Sequence, residues 1–151
     1  MELSIPPFNP RHLRDAFGCF ATGVTVVTGL GSDGTRVGLT ANSFTSVSLD
    51  PPLLRATGRF AINILSTDER PIADRFAQKG VNRFADARWI EWDGLPVLGD
   101  AKAAFACDIH ADHDGGDHRI IVGRITRYGL APERESLLYL HGRYRRVHDG
   151  A

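Results

Sequence analysis

The segment from Ala101 to Asp112 alternates apolar and polar residues, and this period constrains the fold more than any other feature of the sequence. Successive side chains of a β-strand point to opposite faces, so the alternation predicts a long strand with one buried face. The apolar set is Ala101, Ala103, Phe105, Cys107, Ile109 and Ala111, and the polar set is Lys102, Asp108, His110 and Asp112. A Gly115-Gly116 turn and the β-rich stretch "HRIIVGRITRY" follow, which together predict an antiparallel hairpin.

Further stretches have the composition and flanking turns of strands. A glycine-rich turn from Gly29 to Gly34 joins a first pair, as in a hairpin. The predicted strands are Val24–Thr28, Thr35–Thr40, Arg59–Leu65 ("RFAINIL") and a last one in "LLYLHGRYRRV", Leu137–Val147. Between the third of these and Ala101, we expect Gly80 to Gly99 to form an irregular loop packed by Trp89, Trp92 and Pro96.

Helical signals are confined to short segments. Asn9-Pro10 has the pattern of an N-cap followed by proline at the first helical position, which predicts a helix to about Ala21. A capping box of Ser66 and Glu69 predicts a second helix. The apolar faces are Leu13, Ala16, Phe17 and Phe20 in the first helix, and Ile72, Ala73 and Phe76 in the second. Many strands and few helices predict a single mainly β domain over residues 1–151, an antiparallel barrel with helices packed outside it.

Charge and composition narrow the possible partners and the compartment. Eighteen basic residues balance eighteen acidic ones, so no long-range field draws the chain to nucleic acid or to a membrane. We find no pattern of a signal peptide and no apolar stretch near the ~18 residues of a membrane span. Cys19 and Cys107 lie among apolar neighbours, so we expect both to be buried and reduced. These features predict a cytoplasmic protein.

The densest polar cluster is "DIHADHDGGDH", from Asp108 to His118. Asp108 and His110, with Asp112 or His113, have donor atoms that suit a divalent transition metal. Their spacing matches no zinc pattern, however, and Gly123 stands where a calcium loop would need its closing glutamate. We favour a solvated strand face over a metal site.

Hydroxyl and amide side chains are concentrated in "GLTANSFTSVSLDPPLL", Gly38 to Leu54, among apolar residues. Such a wall suits a flat heteroaromatic ligand with a polar or phosphorylated tail. It equally suits a Thr/Ser-rich edge strand without a ligand, and no phosphate loop or nucleophile elbow in the sequence decides between them.

Five blocks of the sequence resemble the short-chain flavin reductase family, the reductase components of two-component flavin-dependent monooxygenases. The blocks are "FATGVTVVTG" (Phe20–Gly29), "GLTANSFTSVSLDPPL" (Gly38–Leu53), "GRFAINIL" (Gly58–Leu65), "GDHRIIVGRI" (Gly116–Ile125) and "LLYLHGRYRRV" (Leu137–Val147). The resemblance extends over nearly the whole chain. It implies an antiparallel split barrel of the FMN-binding type, a homodimer, FMN or FAD as the flavin, and NADH or NADPH as the co-substrate.

The resemblance also implies a set of site residues. Thr40, Ala41, Asn42 and Ser43 would lie along the isoalloxazine ring and the ribityl chain, with Ser46 near the polar tail. His118 would orient or polarise the nicotinamide and flavin rings, because hydride transfer belongs to the cofactors; alternatively it closes the hairpin after Asp117. In "NRF", Arg83 and Phe84 would reach the flavin tail, or would be a surface arginine and a core phenylalanine.

One departure from the family is visible after Pro52. Members of the family have a further strand and a polar loop there, whereas only residues 53–57 precede Gly58 in this chain. We expect a dimer that shields the resulting edge, weaker flavin binding, and Arg55 or Arg59 as substitutes for lost phosphate contacts.

The function implied is an NAD(P)H-dependent flavin reductase that supplies reduced flavin to a partner monooxygenase. The alternative is a non-catalytic flavin- or haem-binding split-barrel protein.

Overall fold

The computed structural model describes residues 9–41, 58–116 and 119–147. Its largest sheet is antiparallel and has five strands in the order β3-β2-β4-β7-β8. These strands are β2 (Thr25–Leu30), β3 (Arg36–Ala41), β4 (Arg59–Ile64), β7 (Ala103–Asp114) and β8 (Arg119–Leu130). The smaller sheets are β1 (Thr22–Gly23) with β9 (Leu138–Leu140) and β10 (Arg143–Arg145), and β5 (Trp89–Trp92) with β6 (Leu95–Leu98). The predicted hairpins at Gly29–Gly34 and at Gly115-Gly116 are confirmed.

The second helix, α2 (Arg70–Ala77), follows a 3₁₀ turn at Thr67–Glu69, where the sequence predicted it. The Glu69 carboxylate accepts hydrogen bonds from the backbone N–H and the hydroxyl of Ser66, at 2.8 and 3.2 Å. Ile72, Ala73 and Phe76 form its buried face and pack on Val24, Val26 and Leu65 in the main core. α2 therefore covers the β3 side of the sheet.

The first helix, α1 (Pro10–Phe17), is shorter than predicted. The backbone N–H of Gly18 donates to the carbonyl of Arg14 and that of Cys19 donates to the carbonyl of Ala16, and the chain leaves the helix there instead of continuing to Ala21. None of its residues is buried, and Phe17 is 71% exposed. The prediction that this helix packs its apolar face on the barrel is wrong for the single chain. Cys19, expected to be buried, is exposed next to it, whereas Cys107 is buried as predicted.

Two turns were missed in the sequence. The predicted loop Gly80–Gly99 contains the β5–β6 hairpin, with positive φ at Asp93 and Gly94. The predicted last strand is a hairpin of β9 and β10, with positive φ at His141 and Gly142. Positive φ at both central residues is the geometry of a tight two-residue hairpin turn.

The long β7–β8 hairpin has a more complex environment than simple alternation predicts. Phe105, Cys107 and Ile109 share one apolar cluster with Val27 and Phe60, as expected. The opposite face of β7 is also buried in the first half of the strand, because Ala104 and Ala106 pack against Leu95 and Val97 of the β5–β6 hairpin. The pairing register shifts at Thr126 and at His110, so two β-bulges interrupt the alternation.

Strand β8 is an edge of the five-stranded sheet in the described part of the chain. It exposes an unusual number of large apolar side chains: Ile120, Val122, Ile125, Tyr128 and Leu130. Within the described ranges, no helix combines the length and the apolar character needed to cross a membrane.

Candidate functional site

A groove of about 480 Å³ runs between β3 and the segment that follows α2. Residues 36–39 form one side and residues 79–84 the other. Arg36, Lys79 and Arg83 contribute positive charge, and none of the described residues that line the groove is acidic. The groove therefore favours an anionic ligand.

Arg83 holds the two sides of this groove together. Its Nη1 donates to the carbonyl of Gly38 in β3 at 2.9 Å, and its Nε and Nη2 donate to the carbonyl of Gln78 at 3.1 and 2.8 Å. Both acceptors are neutral carbonyls, so its positive charge is not cancelled by these contacts. A guanidinium has five N–H donors in a planar fork, and those not used here remain for a phosphate.

Phe84 fixes the position of Arg83 from inside the protein. Its ring makes an edge contact with Phe76, at 5.1 Å between centroids, and a tilted contact with Trp89 at 4.8 Å. Of the two roles that the sequence left open for Phe84, this geometry favours the core phenylalanine. Of these two neighbouring residues, Arg83 therefore faces the groove and Phe84 packs in the core.

Thr40 and Ala41 lie on opposite faces of β3. The Thr40 hydroxyl donates to the carbonyl of Ala73 in α2 at 2.8 Å, whereas Ala41 packs in the cluster of Val27 and Cys107. The part of β3 to which a ligand can hydrogen-bond is therefore its outer backbone edge. The Gly38 carbonyl faces that edge, since it accepts from Arg83, and the period of two gives the Thr40 backbone the same orientation.

Asn42, Ser43, Ser46 and His118 fall outside the described residues, as does Arg55. Arg59, the other expected substitute for lost phosphate contacts, is not in the groove. Its guanidinium contacts the Asp108 carboxylate at 3.1 Å and the Asp93 carbonyl at 2.8 Å.

The two regions in which the sequence predicted site residues lie far apart in one chain. The register places Ala41 level with Ala103, the first residue of β7, through Thr25 and Ile64. The far end of β7 is Asp114, beside the turn at Gly115-Gly116. The 12 residues of β7 span roughly 35–40 Å at the usual rise of a strand, less what twist and the bulges remove. The end of β3 and the tip of the β7–β8 hairpin are therefore at opposite ends of the sheet.

The candidate metal ligands on β7 contact arginines. Asp108 pairs with Arg59, Asp112 pairs with Arg119 at 2.8 Å, and His110 lies 3.3 Å from a guanidinium nitrogen of Arg124. Among the residues that the structure describes, no three His, Cys, Asp or Glu side chains are grouped as a metal would need.

Sequence reasoning missed the contribution of the β9–β10 hairpin. Tyr139 and Tyr144 make an edge contact at 5.4 Å and line, with Thr40, a second cavity of about 220 Å³. Burial raises the pKa of Tyr144, and the Asp74 carboxylate raises it further, so its phenol stays neutral. Gly142, between Tyr139 and Tyr144, was the available signal for a turn, but the segment was interpreted as one strand.

The family model described as "Flavin reductase like domain" matches residues 17–148. The chain belongs to this family. The match agrees with the resemblance carried by the five sequence blocks, and it covers every residue of the groove described above.

Relatives of known name give the same result over most of this chain. A probable flavin reductase of Rhizobium meliloti is 47% identical over an alignment of 136 residues that covers 80% of this chain and 44% of that protein. The reductase component of a flavin-dependent trigonelline monooxygenase of Acinetobacter baylyi is 41% identical, with the same shares covered. The chain thus spans less than half the length of these curated relatives.

A solved structure matches the fold over its full length. An NADH:FAD oxidoreductase of Streptomyces globisporus C-1027, in complex with NAD and FAD fragments, has a TM-score of 0.83 and 33% identity. The similarity covers 97% of this chain and 99% of that one. The predicted antiparallel split barrel is confirmed; the sheets are open rather than closed into a continuous barrel.

Proposed function

We propose that this flavin reductase-like domain is an NAD(P)H:flavin oxidoreductase that reduces FMN or FAD. We further propose that it supplies the reduced flavin to a separate flavin-dependent monooxygenase; the Acinetobacter baylyi relative is named the reductase component of such a monooxygenase. The observation that carries the proposal is the basic groove along the outer edge of β3, in a chain of this family.

The groove fits a phosphorylated flavin. In the described part of the chain β3 is an edge strand, whose outer backbone edge offers N–H and C=O groups to the polar rim of a ring, and Arg83 offers the charge for a phosphate. In this arrangement Thr40, Ala41, Asn42 and Ser43 follow the ring and ribityl chain, and Ser46 and Arg83 bind the tail. Thr40 acts through its backbone, because its hydroxyl bonds to Ala73. Phe84 acts indirectly, by holding Arg83.

A bound flavin supplies a ring that accepts hydride from the nicotinamide and passes electrons on. The protein's own part is to bind the two rings face to face and to exclude water between them. We assign this orienting role to His118, on the nicotinamide side.

We also propose that the protein is a homodimer that uses β8. Tyr128 is 74% exposed, Leu130 is 65% exposed and Ile125 is 55% exposed on this edge strand. A long edge strand with this much exposed apolar surface is an unfavourable state for a monomer. A second copy would cover it.

Dimerisation would also resolve the separation between the two parts of the site. Ala41 and the tip of the β7–β8 hairpin lie at opposite ends of the sheet. For His118 to act on a flavin at Thr40, the two residues have to come from different chains. The site is then built from β3 of one protomer and the hairpin tip of its partner.

The direct test is to mix the purified protein with FMN or FAD and NADH or NADPH, and to follow absorbance at the nicotinamide band. We expect oxidation that depends on added flavin. Under anaerobic conditions, filtration should recover reduced flavin separate from the protein. A bound chromophore without turnover would favour the non-catalytic binding protein, and no oxidation with any pair would refute the proposed activity.

His118→Ala tests the orienting role. We expect slower turnover with little change in flavin affinity, because the side chain serves the nicotinamide complex. His113→Ala removes an exposed histidine from the same hairpin and is the matched control. Mixing His118→Ala with Arg83→Ala protein should partly restore turnover if the site combines two chains. Kinetics of His118→Ala equal to those of the control would leave only the hairpin-closing role.

A further inference from the structure

The groove carries more positive charge than one phosphate needs. Besides Arg83, Arg36 and Lys79 line its far end. Both side chains are exposed, and within the described ranges neither forms a hydrogen bond or an ion pair. Two unneutralised cations beside a third indicate a ligand with charge beyond the position of Arg83.

The spacing along β3 separates the end of the groove at Arg36 and Lys79 from the flavin ring proposed to lie at Thr40. Arg36 precedes Thr40 by four residues, about 13 Å at the rise of a strand. Arg83 contacts Gly38, halfway between them. A flavin mononucleotide with its ring at Thr40 and its phosphate at Arg83 ends there. A dinucleotide continues through a second phosphate to an adenosine.

We infer that the Arg36–Lys79 end of the groove binds the adenylate half of FAD, so that the protein prefers FAD to FMN. The inference rests on the proposed function and specifies its flavin. Lys79 and Arg36 pair with the second phosphate. Val81, which is 41% exposed, offers the apolar surface on which the adenine lies.

The experiment measures dissociation constants by isothermal titration of the full chain with FAD, FMN and 5′-AMP. We expect FAD to bind more tightly than FMN by about tenfold or more, the gain typical of one charge-assisted hydrogen bond. Lys79→Ala and Arg36→Ala should reduce the ratio of FAD to FMN affinity towards one and should weaken the binding of 5′-AMP. Arg11→Ala removes an equal charge from the exposed side of α1 and should leave the ratio as it is.

The outcomes separate this inference from the proposed function. Equal affinity for FAD and FMN, in a protein that still oxidises NADH, would overturn the adenylate assignment alone. Weaker binding of NADH instead of FAD in Lys79→Ala would overturn it too, since the groove would then serve the nicotinamide dinucleotide. If neither flavin binds, the proposed function fails, and the 5′-AMP titration decides the adenylate site by itself.

Discussion

Glu69 provides a quantitative test of the described core, because the residue is only 6% exposed. One oxygen accepts from Ser66, whereas Oε1 is buried and has no hydrogen-bond partner among the described residues. Burial raises the pKa of Glu69 from its ordinary value of 4.5 to about 7, against the lowering effect of the Ser66 hydrogen bonds and of Arg134. The raised pKa means that ionised Glu69 destabilises the folded state.

The sign and the size of the effect follow from linkage. Below pH 4.5 the carboxyl is protonated in both states, and the folded chain pays no penalty. Between pH 4.5 and 7 the unfolded chain releases the proton first, so stability falls as pH rises; above 7 the effect is complete. One pKa unit is worth about 1.4 kcal/mol, so the rise of the pKa from 4.5 to about 7 corresponds to a loss of about 3 kcal/mol over this window.

The variant Glu69→Gln keeps the shape and does not titrate. Urea unfolding of both proteins from pH 4.5 to 8.5, at one protein concentration, gives their difference in free energy of unfolding. We expect nearly equal stability at pH 4.5 and a variant more stable by about 3 kcal/mol at pH 8. Glu133→Gln, at an exposed position, is the control. A difference that stays flat with pH would refute the reasoning, and one of opposite sign would show that Arg134 outweighs burial.

Three further changes test the packing, the groove and the edge strand. Gly123→Ala places a Cβ 2.6 Å from the ring of Phe60, so it should cost about 1–3 kcal/mol in thermal unfolding, whereas Gly23→Ala, with nothing within 4 Å, should cost far less. Arg83→Ala should weaken the binding of FMN and of FAD alike, by about tenfold or more in a fluorescence titration, since both flavins have the first phosphate. A loss of affinity for FAD alone would place Arg83 at another part of the ligand. Tyr128→Glu puts a charge on the exposed face of β8 and should convert the dimer to monomer in light scattering, and an unchanged mass would move the interface away from this strand.

Much of the fold was accessible from local patterns. Alternation predicted β7, glycine-rich turns predicted the β2–β3 and β7–β8 hairpins, and the Ser66–Glu69 pair predicted the start of α2. These features depend on residues close in the chain, so their signal is present in the sequence itself. The five ordered blocks identified the family for the same reason, because each is a continuous run of residues.

Only the tertiary structure decided which side chains are available for a ligand. The family resemblance implied that Thr40 lies at the flavin, and it left Phe84 either at the flavin tail or in the core. Contacts distant in the chain bond the Thr40 hydroxyl to the Ala73 carbonyl and pack Phe84 against Trp89. Arg83 is directed into the groove by the Gly38 carbonyl, 45 positions earlier. The register across the sheet separated the end of β3 from the tip of the β7–β8 hairpin. Such partnerships follow from how strands and helices pack, and no local period in the sequence carries them.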